Sequence, residues 1–445
     1  MLKSVKIKKL FGRFNYSIEL KQEGVTIITG PNGYGKTTIL KILNDFSNKS
    51  FKDFFNYTFA TITFDFGEEN LIIKKLTHSF KVNDIEFPYP QETKPIRRRY
   101  ELPPFIRRVG PNEFIDIRTN EVVYIDDARV FMDEEDLPTK DRFFDLVWNT
   151  ILWDKPKEPK IKHKELISAI EAINNAKQLI GNIRFIQEQR LIEEREIPED
   201  RRSYSGPKTE LIHVLSDNAK KLKQQIEKTM SLHSSVSNDL DGTYIKRLFD
   251  LKVSNREIDY QEALKELQAK QAKLTHYGLA EISNADYLLN SDSSEFNRFA
   301  IELAIYFEDA NKKFAVFEPL ISKLDLYEKI VNDKLAFKTM KITRNEGISV
   351  ITDEGKVLDL NKLSSGEQEI LVLFYKLIFE SDVNLLLVDE PEISLHIAWQ
   401  KELLNDFKEI VALNKNMNVI IATHSPQIIS NNWDLQIDLG GQYNG

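Results

Sequence analysis

Apolar and polar residues alternate along residues 2–10 and again along 16–20, which predicts a β-hairpin at the start of the chain. Gly24 leads into Val25-Thr26-Ile27-Ile28-Thr29, a β-branched run of the kind found in buried parallel strands. A glycine-rich loop comes next, and residues 37–44 carry helical spacing. Residues 58–66 and 70–76 predict a second strand pair. Between 86 and 113, Pro, Arg and aromatic residues crowd together with little periodicity, which predicts an irregular insertion within about 77–179. Residues 183–187 predict a further strand, followed by a charged, proline-containing linker at 193–207.

From 209 to 337 the pattern is mostly helical. Leu211, Leu215, Leu222 and Ile226 fall at coiled-coil-like spacing, as do Tyr260, Leu264, Leu267 and Leu274. Gly242 breaks the first series, which suits a helical hairpin or arm and equally an ordinary helical subdomain. Strand character returns after 338, with alternation at 348–352, a helix at 366–380, a strand at 383–388, a helix at 397–413 and a strand at 417–422. Strands alternating with helices at both chain ends predict one α/β domain interrupted by a helical insert. The expected division is an N-terminal lobe at 1–207, an arm at 208–337 and a C-terminal lobe at 338–445.

Composition narrows the possibilities. A 445-residue chain with 41% hydrophobic residues can bury a sizeable core. The formal charge of -8, from 61 Lys+Arg and 69 Asp+Glu, argues against indiscriminate nucleic-acid binding. Residues 209–337 carry 17 Lys+Arg and 21 Asp+Glu, so the arm suits a protein contact better than a DNA clamp. Arg97-Arg98-Arg99 with Arg107-Arg108, interleaved with Tyr100 and Phe105, keeps DNA contact open, beside the plainer reading of a solvated or partner-facing charge run. The absence of cysteine excludes disulfides and thiolate metal sites, and the seven histidines show no HExxH spacing. No apolar stretch approaches the roughly 20 residues that span a bilayer. Met1-Leu2-Lys3-Ser4 runs straight into a strand pattern rather than a signal peptide, so the expectation is a cytoplasmic protein without a membrane segment.

The candidate chemistry begins at Gly30-Pro31-Asn32-Gly33-Tyr34-Gly35-Lys36-Thr37, which fits G-x-x-x-x-G-K-[ST] between an expected strand and an expected helix. Successive backbone N–H groups at that spacing wrap the α- and β-phosphates of ATP, and the helix dipole adds attraction. Gly30, Asn32, Gly33, Gly35, Lys36, Thr37 and Thr38 are therefore candidate nucleotide contacts. Lys36 would reach the β/γ-phosphates, and the Thr37 hydroxyl would ligate Mg²⁺. Val383–Val388 leads into Asp389-Glu390, an apolar strand ending in two carboxylates. Asp389 is placed to hold Mg²⁺, and Glu390 to polarise the attacking water as general base.

Leu363-Ser364-Ser365-Gly366-Glu367-Gln368 resembles the signature motif of ABC ATPases. That resemblance implies an ABC-ATPase head of the P-loop NTPase class, α/β in build, with an inserted helical, partly coiled-coil arm. It also implies that Ser364 and Gly366 cap the γ-phosphate bound by a neighbouring copy, so that nucleotide sites are dimeric and complete only in a homo-oligomer. Ser365 stands where many ABC members have glycine. Thr423-His424-Ser425-Pro426 matches the switch region, with His424 as γ-phosphate sensor, and Ser394-Leu395-His396 matches the D-loop. Gln189 resembles the Q-loop glutamine that reaches Mg²⁺ or the attacking water, with Gln187 a close competitor. Phe11, Arg13 and Phe14 are candidate adenine neighbours, none of them preferred.

Asp389-Glu390-Pro391-Glu392-Ile393-Ser394-Leu395-His396, followed by Trp399-Gln400, is similar to OLD-like ATPases, and the interrupted layout is similar to the SMC-like group. OLD nucleases continue into a Toprim domain after the switch histidine, whereas this sequence stops at Gly445. The expectation that follows is a stand-alone ATPase subunit resembling those of the PARIS and Septu anti-phage systems. Such a subunit would assemble into a higher-order ring, hold a separately encoded nuclease effector (Toprim type first, HNH type second) and answer a phage-encoded trigger. The alternative is an SMC-like ATPase of DNA repair or recombination acting on DNA itself.

Overall fold

The computed structural model describes residues 1–48, 54–77, 79–88, 106–108, 113–116, 121–124, 163–187, 192–196, 209–250, 259–280, 299–380, 383–393, 395–414 and 416–443. By packing, the chain forms two compact units. The first takes in residues 1–22, 26–185 and 436–445, and the second takes in 23–25 and 186–435.

The first unit is built on a six-stranded antiparallel sheet, in the order Phe14–Glu19, Ser4–Leu10, Thr61–Asp65, Asn70–Lys75, Ser79–Val82, Ile85–Pro88. The alternation read from the sequence sorts its two faces. Val5, Ile7, Ile18, Ile62, Phe64, Ile73, Phe80 and Val82 are buried, while Lys6, Lys8 and Lys74 are exposed. The buried face is filled by aromatic rings, with Phe46 of the helix Lys36–Asn48 stacked 4.4 Å from Phe64 and meeting Phe54 edge-on at 5.6 Å. The fully buried strand Val25–Thr29 pairs in parallel with Gln436–Asp438, and the Gln436 side chain donates to Thr29 Oγ1 at 2.6 Å. Within the expected irregular insertion, Ile85–Pro88 closes the six-stranded sheet, Ile106–Arg108, Glu113–Asp116 and Glu121–Tyr124 form a small antiparallel sheet, and His163–Ile180 is helical. The cluster Arg97–Arg99 lies outside the described residues.

The second unit carries two parallel strands, Leu385–Asp389 and Asn418–Ala422, with Asp389 opposite Ala422. Around them stand the helices Ser365–Phe379 and Ile397–Leu413 and the meander Lys338–Thr343, Gly347–Thr352, Val357–Leu358. Among the described residues, the helical insert contains the helices Val214–Asp250, Tyr260–His276, Ala300–Ala315 and Glu318–Asn332. Leu215, Leu222 and Ile226 are buried as their spacing predicts, and Leu264 and Leu267 pack on Phe307. Two expectations need correcting. Leu211 belongs to a strand, Thr209–His213, which pairs with Ile192–Glu196, so part of the expected linker is a β-ribbon. Gly242 does not break its helix, which runs 37 residues without interruption. Lys313 meets Asp241 at 2.8 Å on one side of the glycine, and Arg247 makes a bidentate bond to Asp309 on the other. Such cross-helix pairing outweighs the cost of about 1 kcal/mol for a helical glycine.

The helix Glu318–Asn332 ties this insert to the rest of its unit. Tyr327, fully buried, donates to the Leu371 carbonyl at 2.8 Å, and just beyond the helix Lys334 forms a buried ion pair with Asp406 at 2.7 Å. Among the described residues, no helix is long and apolar enough to cross a membrane.

Candidate nucleotide site

The loop Gly30–Gly35 joins the buried strand Val25–Thr29 to the helix Lys36–Asn48, the strand–loop–helix context that the motif requires. Gly30, Gly33 and Gly35 hold φ values of 149°, 83° and 90°, which L-residues rarely adopt. At Gly35 space matters as well, because an added Cβ would lie 2.9 Å from Leu10 Cδ2 and 3.1 Å from Phe11 Cε2. Lys36 is 5% exposed and its ammonium donates to the Gly30 carbonyl at 2.9 Å, folding the cation back across the loop. Thr37 and Thr38 follow in the first turn of the helix, where backbone N–H groups have no intrahelical partner.

A layer of rings supports this loop from the first hairpin. Phe14 packs 5.1 Å from Tyr34 and 5.1 Å from Tyr443, and the Tyr16 hydroxyl donates to the Tyr34 carbonyl at 2.8 Å. Burial, with the nearby Tyr34, pushes the Tyr16 phenol up to about 12, so it remains a donor at any physiological pH. Arg13 lies 4.7 Å above the Phe14 ring, and Phe11 is exposed with φ 53°.

In the second unit, the strand Leu385–Asp389 is buried throughout and delivers Asp389, itself buried, to its carboxyl end. Glu390 turns away with φ 45°, in the sparsely populated left-handed region, while its N–H donates to Ala422 O at 2.8 Å. That turn brings Glu390 Oε1 to 3.0 Å from His424 Nε2, and the His424 amide donates to Glu390 Oε2 at 3.3 Å. The acid and the histidine, 34 residues apart in sequence, therefore meet at the ends of neighbouring parallel strands. The hydroxyl of Thr37 and the carboxylate of Asp389 are hard oxygen donors of the type that suits Mg²⁺ rather than zinc.

The signature segment forms a helix start. Ser364 is the N-cap of Ser365–Phe379 in a capping box, and Gly366 lies in the first turn. Glu367 Oε2 accepts from the Ser364 N–H and hydroxyl, each at 2.9 Å, and Lys338 Nζ meets both Glu367 oxygens at 2.7 and 2.9 Å. Burial opposes ionisation of Glu367, but the Lys338 ammonium and the two Ser364 donors outweigh it and hold the carboxyl below its usual range. Gln189 and Ser394 lie outside the described residues, and Gln187 is exposed at the end of the strand Ile183–Ile186.

The AAA ATPase domain family, AAA_15, matches residues 1–429. The chain belongs to this family. The AAA ATPase head is α/β, of the P-loop NTPase class, and carries the helical insert described above. Among solved structures, it is similar to the Smc head domain with an extended coiled coil bound to the C-terminal domain of ScpA from Pyrococcus furiosus. The identity there is 13% and the TM-score 0.36, covering 97% of this chain and 91% of that one. It is similar also to the SMC head domain from Thermotoga maritima, at 11% identity and TM-score 0.30, covering 96% and 90% of the two chains. Among curated proteins, none matches the chain.

Some residues of this AAA ATPase became visible only in three dimensions. Glu392 is buried and accepts from the Thr423 hydroxyl, from His424 N at 2.9 Å and from Ser425 N at 3.0 Å. Gln400 accepts from the Ser425 hydroxyl at 2.8 Å and donates to the Leu395 carbonyl at 3.0 Å. Lys338 was signalled by nothing but its charge at the start of a strand. Tyr34 sits in the loop motif at a position open to any residue, and Tyr443 lies 409 residues further on.

Proposed function

We propose that this ATPase binds ATP–Mg²⁺ and hydrolyses it as the scaffold and sensor subunit of a bacterial anti-phage defence system. The observation that carries the catalytic part is the Glu390–His424 pair, an acid and a histidine 3.0 Å apart at the end of a buried strand. In this reading the backbone of 30–37 wraps the α- and β-phosphates and Lys36 reaches the β- and γ-phosphates, with Asn32 and Thr38 beside them. Thr37 and Asp389, joined by Gln189, provide the oxygens for Mg²⁺, which when bound offsets phosphate charge. Glu390 accepts a proton from the attacking water, and His424 leaves its contact with Glu390 to donate to the γ-phosphate. Ser364 and Gly366, at a helix N-terminus, serve the γ-phosphate of a second copy, so the active form is a homo-oligomer.

The defence part of the reading is supported by the run Asp389–His396 with Trp399-Gln400, and by the acidic balance of the insert, which favours a protein partner. In this reading the chain acts like the AriA-type ATPase subunit of the PARIS system, with the PtuA-type ATPase of Septu as the second choice. The partner is then a separately encoded nuclease, Toprim type ahead of HNH type, held or released as nucleotide state changes on meeting a phage-encoded trigger. Co-expression with the adjacent gene tests this directly. The nuclease should co-purify with this chain, and Glu390→Gln should abolish phage protection. Absence of the nuclease from the complex, together with full protection by Glu390→Gln, would remove the reading.

One observation favours the alternative of an ATPase acting on DNA. Register places Lys8 opposite Thr61, Thr61 opposite Lys74 and Lys74 opposite Lys81, a row of lysines on the sheet face away from the core. Duplex binding that weakens steeply with salt, and that Lys8→Glu with Lys74→Glu removes, would support it.

A further inference from the structure

Glu392 lies two residues beyond Glu390, inside the turn that leaves the strand Leu385–Asp389, and only 9% of it is exposed. Burying a carboxylate is costly unless donors surround it. Three donors converge on its Oε1, and all come from one short segment after the strand Asn418–Ala422: the hydroxyl of Thr423, the N–H of His424 and the N–H of Ser425. The bonds from the two successive amides measure 2.9 and 3.0 Å. Bonds to an ionised acceptor are roughly twice as strong as neutral ones. The Thr423 hydroxyl also accepts from Ser425 N at 2.9 Å, which closes the cluster on itself.

The His424 amide is shared between two carboxylates, Glu392 Oε1 at 2.9 Å and Glu390 Oε2 at 3.3 Å. The shorter bond goes to Glu392, so the buried acid fixes the backbone from which the His424 ring reaches Glu390 Oε1. Gln400 adds a second brace. It accepts from the Ser425 hydroxyl at 2.8 Å while its own N–H groups hold the Leu395 and Glu392 carbonyls at 3.0 and 3.4 Å. The turn after one strand and the loop after its neighbour are thereby locked together, and Glu390 and His424 stand one on each side of that lock.

We infer that Glu392 is a positioning residue for hydrolysis: its buried carboxylate clamps residues 423–425 and so sets the distance between Glu390 and His424. The inference rests on the roles proposed for Glu390 and His424, and it adds a requirement that those roles do not contain. Nucleotide binding should be indifferent to Glu392, because its bonds run to the switch loop and not to the phosphate loop. Turnover should be sensitive to it, because displacing a reacting group by about 1 Å costs on the order of 100-fold. Glu392→Gln keeps an oxygen where Oε1 stands but removes the charge. Glu392→Ala removes the acceptor: the Thr423 hydroxyl loses its bond to Glu392, and the His424 and Ser425 amides keep only those to Glu390 Oε2 at 3.3 Å and Thr423 Oγ1 at 2.9 Å.

The test uses the full chain as wild type, Glu392→Gln, Glu392→Ala and, for reference, Glu390→Gln. Steady-state kcat and KM for ATP, Kd for a fluorescent ATP analogue with Mg²⁺, and Tm are measured for each. The expected order of kcat is wild type, then Gln at about 10-fold lower, then Ala at about 100-fold lower, with KM and Kd within about twofold throughout. A kcat within twofold of wild type for the Gln and Ala variants would overturn the inference. So would a fall in kcat matched by an equal loss of nucleotide affinity, or a Gln variant whose rate recovers fully on cooling in step with refolding. Should Ala fail to fold, Gln alone decides on the same criteria. Wild-type turnover by Glu390→Gln would refute the proposed base itself, an outcome separate from any result at 392.

Discussion

Replacing Gly35 by Ala should damage the phosphate loop more than the same change at Gly33, although both glycines lie in the motif. At Gly33 φ is 83° and an added Cβ meets no atom within 4 Å, so the variant bears only the left-handed backbone cost of about 1–2 kcal/mol. At Gly35 φ is 90°, and the new Cβ would stand 2.9 Å from Leu10 Cδ2 and 3.1 Å from Phe11 Cε2. Phe11 is 43% exposed and can swing aside, but Leu10 is fully buried beneath the hairpin and cannot. Overpacking of that kind adds about 1–3 kcal/mol, which brings the total to about 2–5 kcal/mol. Thermal unfolding of the nucleotide-free proteins checks the ranking without involving phosphate contacts. Gly35→Ala should lower Tm roughly twice as far as Gly33→Ala or more. Adding Leu10→Ala to Gly35→Ala should recover part of the excess relative to Leu10→Ala alone, because it removes the obstructing methyl. Equal Tm values for the two glycine variants would refute the claim that the hairpin roofs the loop at Gly35.

Lys36→Ala should lose ATP affinity by at least about tenfold, since it removes the cation that now folds onto Gly30; unchanged affinity in calorimetry would contradict the loop assignment. Ser364→Arg should bind ATP but not hydrolyse it, and mixing it with Lys36→Ala should restore part of the turnover, because one interface then pairs an intact loop with an intact signature; no rescue at any ratio would count against sharing between copies. Lys338→Met should slow turnover by leaving the Glu367 charge uncompensated beside Ser364, and Glu367→Gln added to it should restore the rate; a double variant as slow as the single one would contradict this electrostatic role. Burial pushes the Asp406 carboxyl up to about 6 even though Lys334 pulls the other way. A raised folded-state value gives stability that is present below the unfolded value, about 3.9, and is lost as pH rises through about 6. Wild type should therefore lose up to about 3 kcal/mol relative to Asp406→Asn between pH 4 and pH 7, and a stability difference that does not change with pH would show that the group is not shifted.

The architecture could be read from the sequence wherever local periodicity and burial agree. The strand Val25–Thr29, the loop to Thr37, the strand ending at Asp389 and the helices starting at Ser365 and Ile397 all stand within about two residues of their expected bounds. The expectations failed where a tertiary partner overrode the local signal. Gly242 reads as a breaker, yet Arg247–Asp309 and Lys313–Asp241 hold its helix straight through. Leu211 continues a helical series by spacing, yet it pairs in a β-ribbon with Glu194. For the proposed site, the motifs pointed to the groups expected to touch nucleotide but not to the side chains that hydrogen-bond to them. Glu392 looks in sequence like one more acid after Asp389-Glu390, and only folding shows that it holds Thr423, His424 and Ser425. Lys338, 29 residues before Glu367, had no signal that spacing could supply.

The central claim is that this AAA ATPase binds ATP through the loop at 30–37 and hydrolyses it with Glu390 as base. ATP affinity and ATP turnover of Glu390→Gln, measured side by side with wild type, test it most directly. Kd should stay within about twofold of wild type and kcat should fall by about 100-fold or more, because the proton acceptor is gone while Lys36, Thr37 and Asp389 remain. Turnover at the wild-type rate with intact binding would place the base elsewhere and contradict the account.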